Sequence, residues 1–378
     1  MKRINCPGRP ADKRVVLVLQ GGGALGAYQV GVYQALEEHG YTPDWVAGTS
    51  IGAINSALIA GNAPDRRLAR LEAFWRGVSR AEYWAVSKMP PKARKLLSQM
   101  SATRAMLAGV PDFFAPNWPA LNLMAGGSAR DVSFYETAQL RNTLKALIDF
   151  QLMNEGSMRL SMSAVEVTTG RPTYFDNRRQ RIRPEHVLAS GALPPGFPAV
   201  EIDGKLYWDG GIYSNTPLEV VLEDEPRCDT LCFMVDLWNP VGPDPRNLAQ
   251  VLTRHKDLTY SSRSLQHIKS YRAIHDLRNA VRFLHDLLPE ERQDDPAVAA
   301  VAALGCATTM NIVHLVYPQE DWELAYKDVD FSWPRIQERW QRGYADAARA
   351  LKQAAWLEPV PAEVGVVVHE VTELTEAA

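Results

Sequence analysis

A chain of 378 residues with 46% hydrophobic and 22% charged residues has the makeup of a folded globular protein and excludes a disordered or fibrous one. Lys+Arg 41 against Asp+Glu 44 leaves a formal charge of -3, so there is no global basic field to recruit nucleic acid or an anionic membrane. Four cysteines, Cys6, Cys228, Cys232 and Cys306, match neither a disulfide framework nor a paired zinc site and point to reduced thiols, and no apolar run reaches the roughly 20 residues that span a bilayer.

The N-terminus is basic (Lys2, Arg3, Lys13, Arg14), but its apolar run Val15–Leu19 is too short for a signal peptide. A cytoplasmic protein is expected, at most peripheral at the inner membrane face. Val15–Leu19 reads as a parallel strand buried on both faces, and it opens into Gly21-Gly22-Gly23-Ala24-Leu25-Gly26. From Ala27 the apolar positions Val30, Tyr33 and Leu36 recur at helical spacing until His39-Gly40. A second strand, Trp45–Ala47, runs into Gly48-Thr49-Ser50-Ile51-Gly52 and a helix predicted over Ile51–Ala60.

Residues 80–130 turn irregular and read as an insertion over the sheet. Its Phe113, Phe114, Trp118 and Met124 either pack on the core or contact acyl chains or a lipid surface. Phe134–Phe150 reads as helix, Arg159–Thr168 and Thr173–Phe175 as strands, His186–Ser190 as a short helix. Asp203-Gly204 predicts a hairpin between Val200–Ile202 and Leu206–Trp208, followed by Asp209-Gly210-Gly211. After a buried strand, Thr230–Val235, a helical stretch is predicted over Asn247–Leu288 with Leu265, Ile268, Leu277, Val281, Leu284 and Leu288 as its apolar stripe. Its basic residues, among them Arg254, Lys256, Arg263, Lys269, Arg272, Arg278 and Arg282, read as a solvated face. A strand Ile312–Tyr317, a helix Arg335–Leu357 and a loosely ordered acidic tail complete the chain.

Gly48-Thr49-Ser50-Ile51-Gly52 fits G-x-S-x-G, a sharp strand-to-helix turn that lifts one hydroxyl above a sheet; the plainer alternative is a serine that caps the next helix. Gly21–Gly26 offers amides unobstructed by side chains at the mouth of a helix, which suits an anion. The same residues satisfy the dinucleotide pattern G-x-G-x-x-G, but the second strand ends in the serine turn where that pattern wants an acid for the ribose, so the nucleotide reading loses its support. None of the eight histidines sits in a glycine-framed loop aimed at Ser50. Asp209 at the end of a short strand is the better partner, although Asp-Gly-Gly is more often a plain turn.

Gly21-Gly22-Gly23 with Gly26, Gly48-x-Ser50-x-Gly52, Ala189-Ser190-Gly191-Ala192 with Pro194, and Asp209-Gly210-Gly211 with Asn215 and Pro217 together resemble the ordered blocks of bacterial patatin-like phospholipases over roughly residues 14–240. The resemblance implies a three-layer α/β/α sandwich with a mostly parallel central sheet. The core would span 14–245, a helix-rich extension 246–360 and the tail 361–378. It implies Ser50 as nucleophile, Asp209 as its base, the amides of Gly21, Gly22 and Gly23 as an oxyanion hole, Gly48 and Gly52 as the elbow, and Gly26, Gly210 and Gly211 in support. Neither metal nor cofactor is implied. The partner expected is a lipid or acyl ester, with peripheral membrane contact, and with a protein or second copy docking through the C-terminal helices. Two departures stand out: many relatives carry Arg or Lys where this chain has Leu25, and Asp where it has Gln20. The competing readings are a catalytically weak lipid-binding or scaffolding module, a hydrolase of another ester such as a hydroxyalkanoate, and an α/β-hydrolase that uses His255 or His314.

Overall fold

The structure is a computed structural model that describes residues 13–79, 89–118, 126–261, 264–306, 308–320, 323, 325–361 and 364–371. Lys2, Arg3, Cys6, Met124 and Arg263 fall outside these.

The apolar run becomes β1 (Arg14–Leu19), fully buried from Val15 on, and the helical spacing behind the glycines becomes α1 (Ala27–Glu38) after a 3-10 turn over Gly23–Gly26. β2 (Trp45–Gly48), α2 (Ile51–Ala60), α3 (Arg67–Gly77) and α4 (Pro91–Ala108) follow. β3 (Ala115–Pro116) pairs with β4 (Tyr135–Glu136). The stretch predicted as one helix from Phe134 to Phe150 divides into β4, α5 (Ala138–Leu147) and the start of α6 (Phe150–Glu155), because Asp149 begins a new helix by accepting from the amides of Gln151 and Leu152. β5 (Arg159–Glu166), β6 (Pro172–Asp176) and α7 (Pro184–Ser190) come next, then β7 (Val200–Ile202) and β8 (Lys205–Asp209), joined by Asp203 and Gly204, both at positive φ as a tight hairpin requires. The chain continues through α8 (Glu219–Leu222), β9 (Thr230–Asp236), α9 (Leu248–Ser261), α10 (Ser264–Asp286), α11 (Glu290–Gln293), α12 (Pro296–Ala302), β10 (Met310–Val316), α13 (Trp333–Gln353) and β11 (Val366–Glu370).

Nine strands form one sheet in the order β11-β10-β9-β1-β2-β5-β8-β7, with β6 also paired to β5. The pairs from β11 to β5 are parallel, and the pairs β5–β6, β5–β8 and β7–β8 are antiparallel. Side chains of both sheet faces are buried: Leu17, Phe233 and Val313 pack with α1, α2 and α13, while Val18, Met234 and Ile312 pack with α8 and α10. The result is an α/β/α sandwich whose parallel strands deliver the glycine loop and the serine turn to the same sheet edge, where such folds place their ligands.

The strand expected at Ile312–Tyr317 is β10, which lies along β9, and β11 lies along β10 in turn. The tail therefore holds a strand at Val366–Glu370, while residues 372–378 lie outside the described part. The predicted stripe of the long helix holds at Ile268 but loses its phase toward the C-terminal end. Leu277 and Leu284 are 67% and 63% exposed; of the predicted stripe Ile268 is buried, and beside it α10 buries His275 and Asn279; the Leu265 side chain is not described. Phe113 and Phe114 pack into the core beside Phe197, and Trp118 alone of the described insertion aromatics stands 68% exposed. No helix among the described residues is long and apolar enough to cross a membrane.

Candidate active site

β5 acts as a ruler that brings two distant segments together. Gly48, the last residue of β2, pairs with Met162, and Asp209, the last residue of β8, pairs with Ala164 two positions further along. Between them the hydroxyls of Thr49 and Ser163 meet at 2.6 Å. The serine turn and the aspartate thus stand side by side above the sheet although 159 residues of chain separate Ser50 from Asp209.

Ser50 has φ 57 and ψ -123, a conformation that costs a non-glycine residue of order 1–3 kcal/mol and persists where the surroundings enforce it. The enforcement is visible: the Ser50 amide donates to the Ser190 carbonyl at 3.0 Å, and a side chain at Gly52 would place Cβ 2.2 Å from the Leu19 carbonyl oxygen. Ser50 stands at the N-cap of α2 yet makes no side-chain capping bond. Its hydroxyl is close enough to Asp209 to favour the ionised form of that carboxyl. The capping alternative therefore fails.

Asp209 is 1% exposed. Burial pushes its carboxyl up to about 7, opposed by hydrogen bonds from the Gly211 amide, at 2.7 Å, and from Ser50. Such a carboxyl is a far better proton acceptor near neutrality than an exposed aspartate. Gly210 and Gly211 form the 3-10 turn behind it.

The glycine loop runs past both. A Cβ at Gly21 would lie 3.0 Å from the Ser50 Cβ and 2.4 Å from Asn215 Oδ1. The Gly21 amide donates to the Asn215 carbonyl at 3.1 Å, so the expectation that it serves an oxyanion is corrected: that donor is already engaged. The amides of Gly22 and Gly23 find no acceptor among the described residues. Gly23 has φ 54, and a Cβ there would meet the Asp328 carbonyl oxygen at 2.3 Å. Gly26 closes the turn, its carbonyl accepting from Asn55 Nδ2 at 3.0 Å.

Several residues at this site escaped sequence reasoning. Trp238 Nε1 donates to the Gly21 carbonyl at 2.8 Å. The Tyr260 carbonyl, at the end of α9, accepts from Gln20 Nε2 at 3.3 Å and Asn215 Nδ2 at 3.4 Å, and its ring lies 5.1 Å from that of Trp238. Burial, then the charges of Asp328 and Asp209, push the Tyr260 phenol up, which places it within electrostatic reach of the catalytic candidate. Lys256, predicted on a solvated face, binds both Asp328 oxygens at 2.8 Å. Lys327, buried, pairs with Asp257 at 2.7 Å and stands 5.1 Å from the Trp238 ring centre. Leu25, in place of a cation, is wholly buried. Neither proposed histidine base has a hydrogen bond to Ser50 among the described residues: His255 is exposed, and both ring nitrogens of buried His314 are taken by Asp236 and Glu370. A cavity of about 730 Å³ between α8 and α10 is lined by Tyr174, Tyr213 and Tyr271 and reaches the turn after Asp209 but not Ser50.

The sandwich, the strained serine turn and the glycine loop define an α/β fold with a nucleophile-elbow turn at the edge of its sheet. A family model described as Patatin-like phospholipase matches residues 17–222, and another described as Patatin phospholipase matches residues 258–363. The first covers over half of the chain, which belongs to the patatin-like phospholipase family. Among its relatives are a patatin-like phospholipase domain-containing protein of Caenorhabditis elegans, 28% identical over 269 residues (63% of this chain, 16% of that protein). Patatin-like phospholipase domain-containing protein 6 of Mus musculus is 29% identical over 206 residues (54% and 12%), and a lysophospholipase of Aspergillus terreus is 56% identical over 55 residues (15% and 4%). The chain thus spans 16% or less of the length of these relatives. They are eukaryotic, so they do not support the bacterial branch expected from the motifs. The solved structure of VipD from Legionella pneumophila aligns with a TM-score of 0.39 and 14% identity, covering 91% of this chain and 67% of that one.

Proposed function

We propose that the protein is a lipid acyl hydrolase in which Ser50 attacks a carboxylic ester. Asp209 takes the serine proton as the Ser50 oxygen bonds to the carbonyl carbon, the amides of Gly22 and Gly23 receive the developing oxyanion, and the proton passes to the departing alcohol. Water then cleaves the acyl-serine, with Asp209 again as base. The observation that carries this reading is a strained, uncapped Ser50 brought beside a buried Asp209 whose carboxyl burial pushes up to about 7.

With Gly21 engaged, two backbone donors remain, each worth about 3 kcal/mol of transition-state stabilisation. Phospholipids or lysophospholipids are the substrate class that the relatives' names support. Residues 246–360 belong to the same working unit, because Tyr260 and Asp328 wall the glycine loop. A fluorophosphonate probe followed by peptide mass mapping tests the reading: a single adduct on Ser50, absent in Ser50→Ala, is expected, together with ester hydrolysis across a phospholipid, lysophospholipid, triglyceride and hydroxyalkanoate panel that the same substitution removes. Hydrolysis that survives in purified Ser50→Ala would reject it.

A further inference from the structure

Gln20, the residue between β1 and the glycine loop, is wholly buried. Its amide oxygen accepts from the backbone of Leu237 at 2.5 Å and Trp238 at 3.0 Å, and its amide nitrogen donates to Thr216 Oγ1 at 2.9 Å. Thr216 Oγ1 stands 2.7 Å from Asp236 Oδ1, Asp236 Oδ2 lies 3.0 Å from His314 Nε2, and His314 Nδ1 lies 2.8 Å from Glu370 Oε2. Thr216, Asp236 and His314 are each 3% exposed or less.

The direction of every bond in this chain is determined. An ionised carboxylate only accepts, so Thr216 donates to Asp236 and must accept from Gln20. Gln20 then has its oxygen toward the two backbone amides, one of which belongs to Trp238, the residue that also holds the Gly21 carbonyl. At the other end His314 lies between two carboxylates and satisfies both only with a proton on each nitrogen. Burial opposes that charge, but Asp236 and Glu370 outweigh it and raise the imidazole to about 9. Asp236 from β9 and Glu370 from β11 are the charged groups in contact with the ring, and the helices over this face contribute apolar Leu218 and Ile268.

We propose that His314, as a buried imidazolium, is a positioning residue for the reaction: through Asp236, Thr216 and Gln20 it fixes the stance of the Gly22 and Gly23 amides relative to Ser50. If the ring loses its Nε2 proton, Asp236 loses that donor and its carboxylate is no longer held in its present orientation. The Thr216 hydroxyl can then turn, and the Gln20 amide no longer has a reason to face Leu237 and Trp238. The inference rests on the hydrolase reading above, and its primary measurement is independent of activity.

That measurement is the nitrogen-15 spectrum of the full chain labelled at histidine, with the His314 signals assigned by their absence in His314→Gln. A doubly protonated ring at pH 7.5 is expected; a neutral ring overturns the proposal whatever the enzyme does. On a soluble acyl ester, His314→Gln should lower kcat between about 10- and 100-fold with KM within about twofold, as displaced catalytic groups do. The wild-type fall in kcat above pH about 9 should vanish in that variant. An unaltered kcat and alkaline limb in folded His314→Gln overturns the proposal. Should that variant not fold, Glu370→Gln at the exposed end of the chain should move the alkaline limb down by about one pH unit, and an unmoved limb overturns it equally. Failure of the hydrolase reading itself shows separately, as activity retained in Ser50→Ala.

Discussion

At the N-terminal end of the sheet, Asp224 sits between Arg14 and Arg159 at 2.7 and 2.6 Å, Asp176 takes a further bond from Arg159 at 2.8 Å, and the Arg159 guanidinium lies 3.9 Å over the Trp45 ring. At the opposite end Asp209, as deeply buried, meets a hydroxyl and a backbone amide and is paired with no cation among the described residues. The first arrangement satisfies each carboxylate and holds the starts of β1 and β5 together. The second leaves a carboxylate whose charge is costly, and that cost is what makes it receptive to a proton. The same residue type thus serves cohesion at one end and chemistry at the other, according to whether a guanidinium is supplied.

The sharpest way to break the comparison is to neutralise the unpaired acid. Asp209→Asn, like Ser50→Ala, should lower ester hydrolysis by about 10⁴-fold or more, measured as kcat/KM, with the circular dichroism spectrum unchanged. Striking the paired end should do the reverse. Arg159→Met strands buried Asp176, leaves Asp224 with Arg14 alone, and should cost about 3–5 kcal/mol in urea unfolding, while the Ser50 labelling rate of the protein that remains folded stays as in wild type. A loss of labelling without loss of stability would mean that the two ends are not independent.

A gentler probe is pH. Folded Asp209 holds its proton up to about 7, whereas the unfolded chain releases it near 4, so folding stability should decline as pH rises between those values and level off above. The total is on the order of 4 kcal/mol, and Asp209→Asn should flatten that slope. Over the same interval kcat/KM should climb roughly tenfold per pH unit as the base form appears, reaching its plateau above about 7. A plateau already complete at pH 5 would deny Asp209 its role. The smallest effect is expected far from both ends: Trp118→Ala should alter stability by less than about 0.5 kcal/mol. If Trp118 meets lipid, the same change should slow hydrolysis of vesicle substrate a few-fold relative to a soluble ester.

What the sequence made legible was local. G-x-S-x-G and the Asp203-Gly204 hairpin each write a backbone conformation into a few residues, and both came out as read. The period of α10 was visible, but its phase depends on which neighbours arrive, so Leu277 and Leu284 were misassigned to the buried side. β11 was hidden because a five-residue edge strand in parallel pairing needs no turn signal and was masked by the acids around it. Within the site, Ser50 and Asp209 were legible because glycines frame them. Tyr260, Trp238 and Asp328 were not, since they reach the loop only through packing between segments distant in sequence. The engagement of Gly21 was equally invisible, because Asn215 reads as part of a motif and gives no sign of which donor its carbonyl occupies.

β10 lies against β9 along its whole length, from Thr230 to Asp236, and supplies the partner for every outward main-chain group of a strand that is apolar on both sides. A fragment cut after about residue 245 would bare that margin in the middle of what should be an interior, an invitation to strand addition by another molecule. The motif-bearing half is therefore no detachable cassette: severed from its second half, it should clump before it turns over substrate.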